Sequence, residues 1–174
     1  LTSFEVPNTV ATIGESAFAE CFYLSSVIFE ANSSLTSIAN FVFQETALSY
    51  IHVPRNVASI GQYAFFECFS LADITFEDDN ALTSIDEGAF FGAGLISIDV
   101  PKNVSYIGLS AFEGCSDLSS ITFGANCLLG TIDDRAFFGT AITTIAIPSK
   151  VTNVGTAIGA VFKNCTNLQS VTFE

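Results

Sequence analysis

His52 is the only histidine in the chain, so it is the first candidate for a catalytic base. A histidine acts in this way when a nucleophile lies beside it and a third group orients its ring. Ser49 and Ser70 are available as nucleophiles, but no elbow motif frames either of them. We therefore interpret His52 as an exposed surface residue, with contact to a ligand as the alternative.

Five cysteines offer thiol chemistry, and four of them recur in alternate copies of a sequence repeat: Cys21, Cys68, Cys115 and Cys165. Stacked repeats would hold these four about 10 Å apart, whereas a disulfide needs Cα atoms within about 7 Å. Without a Cys-x-x-Cys pair, a zinc site is not indicated either. We predict buried free thiols at all four positions. Cys127 shares a loop position with Ser33 and Asn80, so we expect it to be more exposed and open to intermolecular pairing.

Carboxylates cluster in three segments, at residues 77–79, 86–87 and 133–134. Loop carboxylates and carbonyls are ligands for Ca²⁺, but this spacing matches neither an EF-hand nor a glycine-rich nonapeptide repeat. We interpret them as a solvated face that keeps the protein soluble, with adventitious calcium as the alternative. The sequence predicts no metal, no cofactor and no catalytic residues.

The composition excludes several classes of partner. The chain of 174 residues has 18 acidic against 5 basic side chains, which gives a formal net charge of −13. A nucleic-acid binder needs a basic surface, and an anionic membrane would repel this charge. No apolar run approaches the roughly 18 residues that span a bilayer. We therefore predict no nucleic-acid partner and no membrane insertion.

An internal repeat defines the elements that position these side chains. The four prolines are each 47 residues apart: Pro7, Pro54, Pro101 and Pro148. Double repeats occupy residues 1–47, 48–94 and 95–141, with a partial one at 142–174. Each complete double repeat divides into halves of 23 and 24 residues. A period in the low twenties is typical of one solenoid coil. The sequence predicts a single array over 1–174, with seven full coils and a partial eighth, as a segment of a longer protein.

Each coil begins with a short strand of the pattern Leu-x-x-Ile-x-Val/Phe, in which Tyr50 and His52 point outward. We predict a tight helical turn at Ala64–Phe65 and its equivalents, and a surface bulge where three residues are inserted within 155–160. Stacking predicts an aromatic spine of Phe18, Phe43, Phe65, Phe90, Phe112, Phe137 and Phe162. A second inward set at strand ends consists of Phe29, Phe76, Phe123 and Phe173.

The motif Ile-Gly-x-x-Ala-Phe-x-x-Cys-x-x-Leu-x-x-Ile-x-Phe, clearest from residue 60 onward, resembles the BspA-type, or treponemal, leucine-rich repeat. The resemblance covers essentially the whole chain, with mild departures such as Val42 and Val161 in place of alanine. It implies a curved, right-handed leucine-rich repeat solenoid built of short parallel strands. It also implies a cell-surface or secreted protein that binds host or matrix proteins or neighbouring cells, without shared catalytic residues.

Three groups of side chains are candidates for function. Outward strand positions form a candidate binding surface: Glu5, Tyr50, His52, Asp73, Thr75, Asp99 and Thr122. Three phenylalanines that follow spine residues form an aromatic contact patch or, alternatively, fold back over the coil corner: Phe66, Phe91 and Phe138. Three asparagines lie in Asn-x-Ser/Thr motifs and would accept N-linked glycans in a secretory pathway: Asn32, Asn103 and Asn164.

We predict an extracellular or cell-surface, non-enzymatic module for adhesion and protein binding. Its partner would be a host, matrix or neighbouring cell-surface protein. The alternative is structural. Copies of the chain would assemble end to end or side by side into a filament or surface layer, because open strand edges invite pairing.

Overall fold

The computed structural model describes residues 1–157 and 160–174 in full and residues 158 and 159 by their backbone. Eight four-residue strands recur once per coil: β1 (Ser3–Val6), β2 (Ser26–Phe29), β3 (Tyr50–Val53), β5 (Asp73–Phe76), β7 (Ser97–Val100), β9 (Ser120–Phe123), β11 (Thr144–Ile147) and β13 (Ser170–Phe173). Five two-residue strands alternate with them: β4 (Ser59–Ile60), β6 (Ser84–Ile85), β8 (Tyr106–Ile107), β10 (Thr131–Ile132) and β12 (Asn153–Val154). One short helix, α1 (Ile158–Val161), lies at the predicted insertion.

The four-residue strands pair in parallel within each double repeat, as β1–β2, β3–β5, β7–β9 and β11–β13. Within a pair, the residue after the second strand donates its backbone N–H to the last carbonyl of the first strand. Glu77 N, for example, donates to Val53 O over 3.1 Å. Between pairs the same position holds a proline, such as Pro101, which has no N–H to donate. The prolines therefore interrupt the ladder once per double repeat.

The two-residue strands form a second, five-stranded parallel sheet in the order β12-β10-β8-β6-β4. Isoleucines of neighbouring coils lie in register along it, with Ile60 beside Ile85 and Ile85 beside Ile107, and all three are fully buried. The core lies inside the coil, where these isoleucines and the inward residues of the longer strands meet. Stacked coils that each bury one side of their neighbours form a solenoid, which confirms the predicted fold class.

The aromatic spine is confirmed. Neighbouring rings from Phe18 to Phe162 stack with centroids 5.2–5.7 Å apart. The second phenylalanine set is less buried than predicted: Phe29, Phe76 and Phe123 are half-buried, and Phe173 is 57% exposed. The prediction for Phe173 was wrong because strand β13 is the last of the described chain, so no further coil covers its ring.

The coil corners that precede α1 are not helical, so the predicted helical turns are not confirmed there. In the third coil, the N–H groups of Tyr63, Phe65 and Glu67 donate to carbonyls of the next coil over 2.7–2.9 Å. The N–H groups of residues 64, 66 and 68 donate three residues back within the turn. Tyr63 and Glu67 accordingly have φ of 53° and 52°, in the left-handed region. A right-handed α-helix requires negative φ at every residue, so left-handed φ at these positions excludes it.

Three cysteines are confirmed as buried free thiols: Cys68, Cys115 and Cys165. Each Sγ donates to a spine carbonyl of the preceding coil, over 2.9–3.0 Å. Thr46 takes the equivalent position in the intervening coil, with its Oγ1 3.4 Å from Cys68 Sγ. Because a cysteine alternates with another residue in this column, neighbouring coils never bring two thiols together.

The other two cysteines differ from their predictions. Cys21 is half-buried rather than buried, because it lies in the first described coil. Cys127 is only 5% exposed, so the prediction of an accessible thiol was wrong. Its loop position faces the core, as the matching Ser33 also does at 4% exposure. Cys127 therefore fills space between coils, with Sγ 3.9 Å from Val104 O.

Candidate functional site

The outward side chains of the four-residue strands, which we call the strand face, contain a small hydrogen-bonded cluster. The Thr75 hydroxyl lies 2.8 Å from the Tyr50 hydroxyl and 2.8 Å from His52 Nδ1. Strand β3 presents Tyr50 and His52, and the parallel register places Thr75 directly beside His52. These bonds hold two ring side chains in fixed orientations on an exposed surface, which lowers the entropic cost of ordering them on binding.

Four of the predicted binding residues border one shallow depression of about 320 Å³: Asp73, Thr75, Asp99 and Thr122. Thr75 links this depression to the cluster with Tyr50 and His52. The structure therefore brings six of the seven predicted residues onto one continuous surface. Glu5 lies apart, because its strand neighbour is Ile28, which is 57% exposed and separates it from His52.

A larger cavity of about 500 Å³ adjoins the strand face, and the acidic loop at residues 77–80 forms part of its lining. Lys102 crosses it, with Nζ 3.3 Å from Asp79 Oδ1. Glu77 Oε2 accepts the backbone N–H of Arg55 over 2.9 Å. The sequence prediction missed Lys102, although its position 23 residues after Asp79 places the two in neighbouring coils. The acidic loop is thus partly neutralised by the basic residues of adjacent coils.

The other predicted acidic pairs accept hydrogen bonds from neighbouring coils. Glu87 Oε1 accepts the Tyr63 hydroxyl over 2.8 Å, and this bond is the main reason that the pKa of Tyr63 is raised. Asp133 Oδ2 accepts the Tyr106 hydroxyl over 3.2 Å. Within the described residues, no group of three or more histidine, cysteine, aspartate or glutamate side chains has the arrangement of a metal site.

The predicted aromatic patch divides into two separate features. Phe66 and Phe91 stack on each other, with centroids 5.3 Å apart, and both are half-buried. Phe138 lies two coils further on, beyond Glu113, and Arg135 covers it with its guanidinium carbon 4.3 Å from the ring centroid. Sequence reasoning missed two further rings beside Phe66, namely Phe41 and Tyr63, which stack at 5.4 Å.

Glu113 and Arg135 form a bidentate ion pair at this corner. Arg135 Nε donates to Glu113 Oε2 over 2.8 Å, and its Nη2 donates to Oε1. Glu113 is 7% exposed, so its charge depends on this partner. The hydrogen bonds from Arg135 hold the pKa of Glu113 below its usual value, against the opposing effect of burial.

The three predicted glycan acceptors differ in accessibility. Asn32 and Asn164 are exposed and have positive φ, in turns between coils. Asn103 is half-buried, and its Nδ2 donates to Asn80 O over 2.8 Å. A glycan on Asn103 would therefore have to break a bond between coils, whereas the other two side chains face solvent.

Comparison with solved structures identifies repeat proteins of the same fold. The pneumococcal vaccine antigen PcpA superposes with a TM-score of 0.71 at 23% identity, over 99% of this chain and 40% of its own. A leucine-rich cell-surface protein from Faecalibacterium prausnitzii gives 0.58 at 27% identity, over 100% and 61%. A leucine-rich repeat protein from Bacteroides ovatus gives 0.63 at 23% identity, over 99% and 55%. The chain thus spans 40–61% of the length of these three structures.

Among curated proteins, no sequence is significantly similar. None of the helices in the described chain has the length and apolar character needed to cross a membrane. A sequence model of the BspA-type leucine-rich repeat region matches residues 1–95 and 83–174, in six copies. The match extends over the same coils that the spine and the paired strands define. The chain therefore belongs to the BspA-type leucine-rich repeat family.

Proposed function

We propose that this chain is a non-enzymatic protein-binding module of a cell-surface or secreted protein, and that the strand face is its binding surface. Solenoids present long, continuous faces that suit recognition of other proteins. The Tyr50–Thr75–His52 cluster carries the proposal, because interface hot spots are rich in fixed aromatic side chains. The similarity to a leucine-rich cell-surface protein supports the proposed location.

The charges of the strand face favour a partner with basic groups. Asp73 and Asp99 are exposed and border the same depression. With a net charge of −13, the chain would also steer basic partners toward itself at low ionic strength. We therefore propose a host, matrix or neighbouring cell-surface protein with a basic contact surface.

The test is a binding screen of immobilised matrix and cell-surface proteins by biolayer interferometry. The variant combines Tyr50→Ala, His52→Ala and Asp99→Ala. The control combines Glu15→Ala and Thr152→Ala, two exposed residues outside the strand face. We expect the triple variant to lose at least about tenfold in affinity for any partner found, and the control to bind as the unmodified chain does. Equal binding by both variants would contradict the proposal.

Self-assembly remains the alternative prediction. The outer edges of β1 and β13 are unpaired in the described chain. Because the chain spans only part of similar structures, these edges need not be the ends of the array and favour neither function. Light scattering after size exclusion distinguishes the two, since a binding module stays monomeric as the concentration rises.

A further inference from the structure

A groove runs along the coil corners between two columns of side chains, and we call it the corner groove. One column lies two residues before each spine phenylalanine, and the other lies one residue after it. In the second and third coils these columns contain Phe41 and Tyr63 on one side and Gln44 and Phe66 on the other. In the fifth and sixth coils they contain Ser110 and Arg135, and Glu113 and Phe138.

In the fifth and sixth coils the chain fills this groove with its own arginine. The guanidinium of Arg135 lies over the Phe138 ring at 4.3 Å and forms a bidentate pair with Glu113. The Phe138 ring thus contacts the flat face of the guanidinium, while the Glu113 carboxylate accepts its N–H groups. This arrangement shows which side chain the geometry of the groove accepts.

In the second and third coils the groove has no cation, because Tyr63 takes the position of Arg135. The Tyr63 ring packs against that of Phe66 in a T-shaped arrangement, with centroids 5.9 Å apart. Phe41, Gln44, Tyr63 and Phe66 line a shallow, open depression of about 220 Å³. Phe66 takes the position of Phe138, and Gln44 takes that of Glu113. Phe91 stacks on one face of Phe66, and Phe66 lines the depression together with Gln44 of the preceding coil.

The charges around the open groove are negative. Glu45 lies at its edge, with Oε1 accepting Gln44 Nε2 over 2.9 Å. Glu67 is the equivalent residue one coil on, and Glu87 accepts the Tyr63 hydroxyl. An electron-rich ring face and nearby carboxylates both attract a cation, and a planar guanidinium matches them better than an ammonium does.

We propose that the corner groove of the second and third coils binds an arginine side chain of a partner protein. The guanidinium lies on the Phe66 ring between Gln44 and Tyr63, as that of Arg135 lies on Phe138. This inference rests on the proposed protein-binding function and adds a contact with defined chemistry, at a place separate from the strand face.

The test is an NMR titration of ¹⁵N-labelled protein with the peptide acetyl-Gly-Arg-Gly-Arg-Gly-amide. One cation–π contact with a few hydrogen bonds corresponds to millimolar binding. We expect saturable shifts at the Gln44 side-chain amide and at the backbone of residues 62–67. The same peptide with citrulline in place of arginine has the shape without the charge and should give no saturable shift. Equal shifts with both peptides, or shifts located elsewhere, would overturn the proposal.

Two substitutions at the half-buried residue Gln44, which lies outside the core, sharpen the result. Gln44→Glu reproduces Glu113 and should tighten binding about fivefold. Gln44→Lys places a positive charge in the groove and should abolish binding. An affinity that is unchanged in both variants would refute the assignment. The strand-face variant should bind the peptide normally, so failure of this inference and failure of the proposed function give different results.

Arg135→Ala provides an independent check, because it vacates the groove of the fifth and sixth coils. Circular dichroism first confirms that this variant is folded. A second set of saturable shifts should then develop around Glu113 and Phe138, with two peptides bound per chain. One peptide per folded chain would mean that the similarity between the two grooves has no bearing on binding.

Discussion

Replacing Phe90 by alanine tests whether the aromatic spine carries the stability of the solenoid. Phe90 is fully buried, and its ring stacks on Phe65 at 5.2 Å and on Phe112 at 5.3 Å. A buried Phe→Ala change costs about 3–5 kcal/mol in free energy of unfolding. The hydrogen bond from Phe90 N to Ala111 O, at 2.8 Å, holds the next coil in place and resists collapse of the cavity. We therefore expect Phe90→Ala to lower the free energy of unfolding by about 4–5 kcal/mol, at the upper end of that range.

Urea unfolding followed by far-UV circular dichroism measures this cost. Phe173→Ala is the matched control, because the same side chain is removed where it is 57% exposed and stacks on no described ring. The Phe173→Ala change should cost about 1 kcal/mol in free energy of unfolding. Phe90→Leu retains most of the volume and should fall between the two, which keeps the comparison measurable if the alanine variant unfolds. A Phe90→Ala cost no greater than that of Phe173→Ala would refute the reasoning.

Three further predictions follow from burial, charge and backbone conformation. At pH 8 a maleimide should label Cys21 before Cys115, because Cys21 is only half-buried and reagent can reach it. Burial raises the pKa of Cys115 to about 12, so this thiol should stay protected until the chain unfolds. Mass spectrometry of digests measures the labelling of each cysteine. Glu113→Gln should destabilise the protein at pH 7. The loss should vanish as the pH falls through the lowered pKa of Glu113, below 4.5, because protonation then removes the charge that pairs with Arg135; melting curves from pH 7 to pH 3 test this. Gly88→Ala should destabilise by about 1–3 kcal/mol, because φ is +58° and a Cβ would lie 2.3 Å from the Tyr63 ring; an unchanged melting temperature would contradict the left-handed corner.

The parts of the fold that the sequence predicts are those that repeat. The spine positions and the outward strand residues recur at fixed intervals, and they are confirmed by ring stacking and by exposure. Ala64–Phe65 shows the limit of this reasoning. Whether its corner is helical depends on carbonyls one coil away, which accept the amides of alternate residues. Local pattern contains no information about that competition, so the prediction of a helical turn failed.

The candidate sites were predictable to different degrees. Tyr50, His52 and Thr75 follow from strand alternation, and the register brings them together as expected. The division of the aromatic patch was missed, because Phe66 and Phe138 share a column but have different neighbours. The necessary signal is present in the spacing: Arg135 lies three residues before Phe138 and 22 residues after Glu113, which places all three at one corner.

The proposed recognition of a partner by this solenoid depends on the columns that vary from coil to coil. The spine column holds a phenylalanine in all seven coils, because each ring must fit between the rings above and below it. Outward positions are free of that constraint. Along the corner groove, Gln44 and Tyr63 of the second and third coils are replaced by Glu113 and Arg135 in the fifth and sixth, where the arginine fills the groove. The net charge of −13 acts in the same direction, since an excess of carboxylates near aromatic rings favours cations. A basic partner that contacts both the strand face and the corner groove would bind two separate surfaces of the same solenoid. Its affinity would exceed that of either contact alone, because the second contact forms within an existing complex.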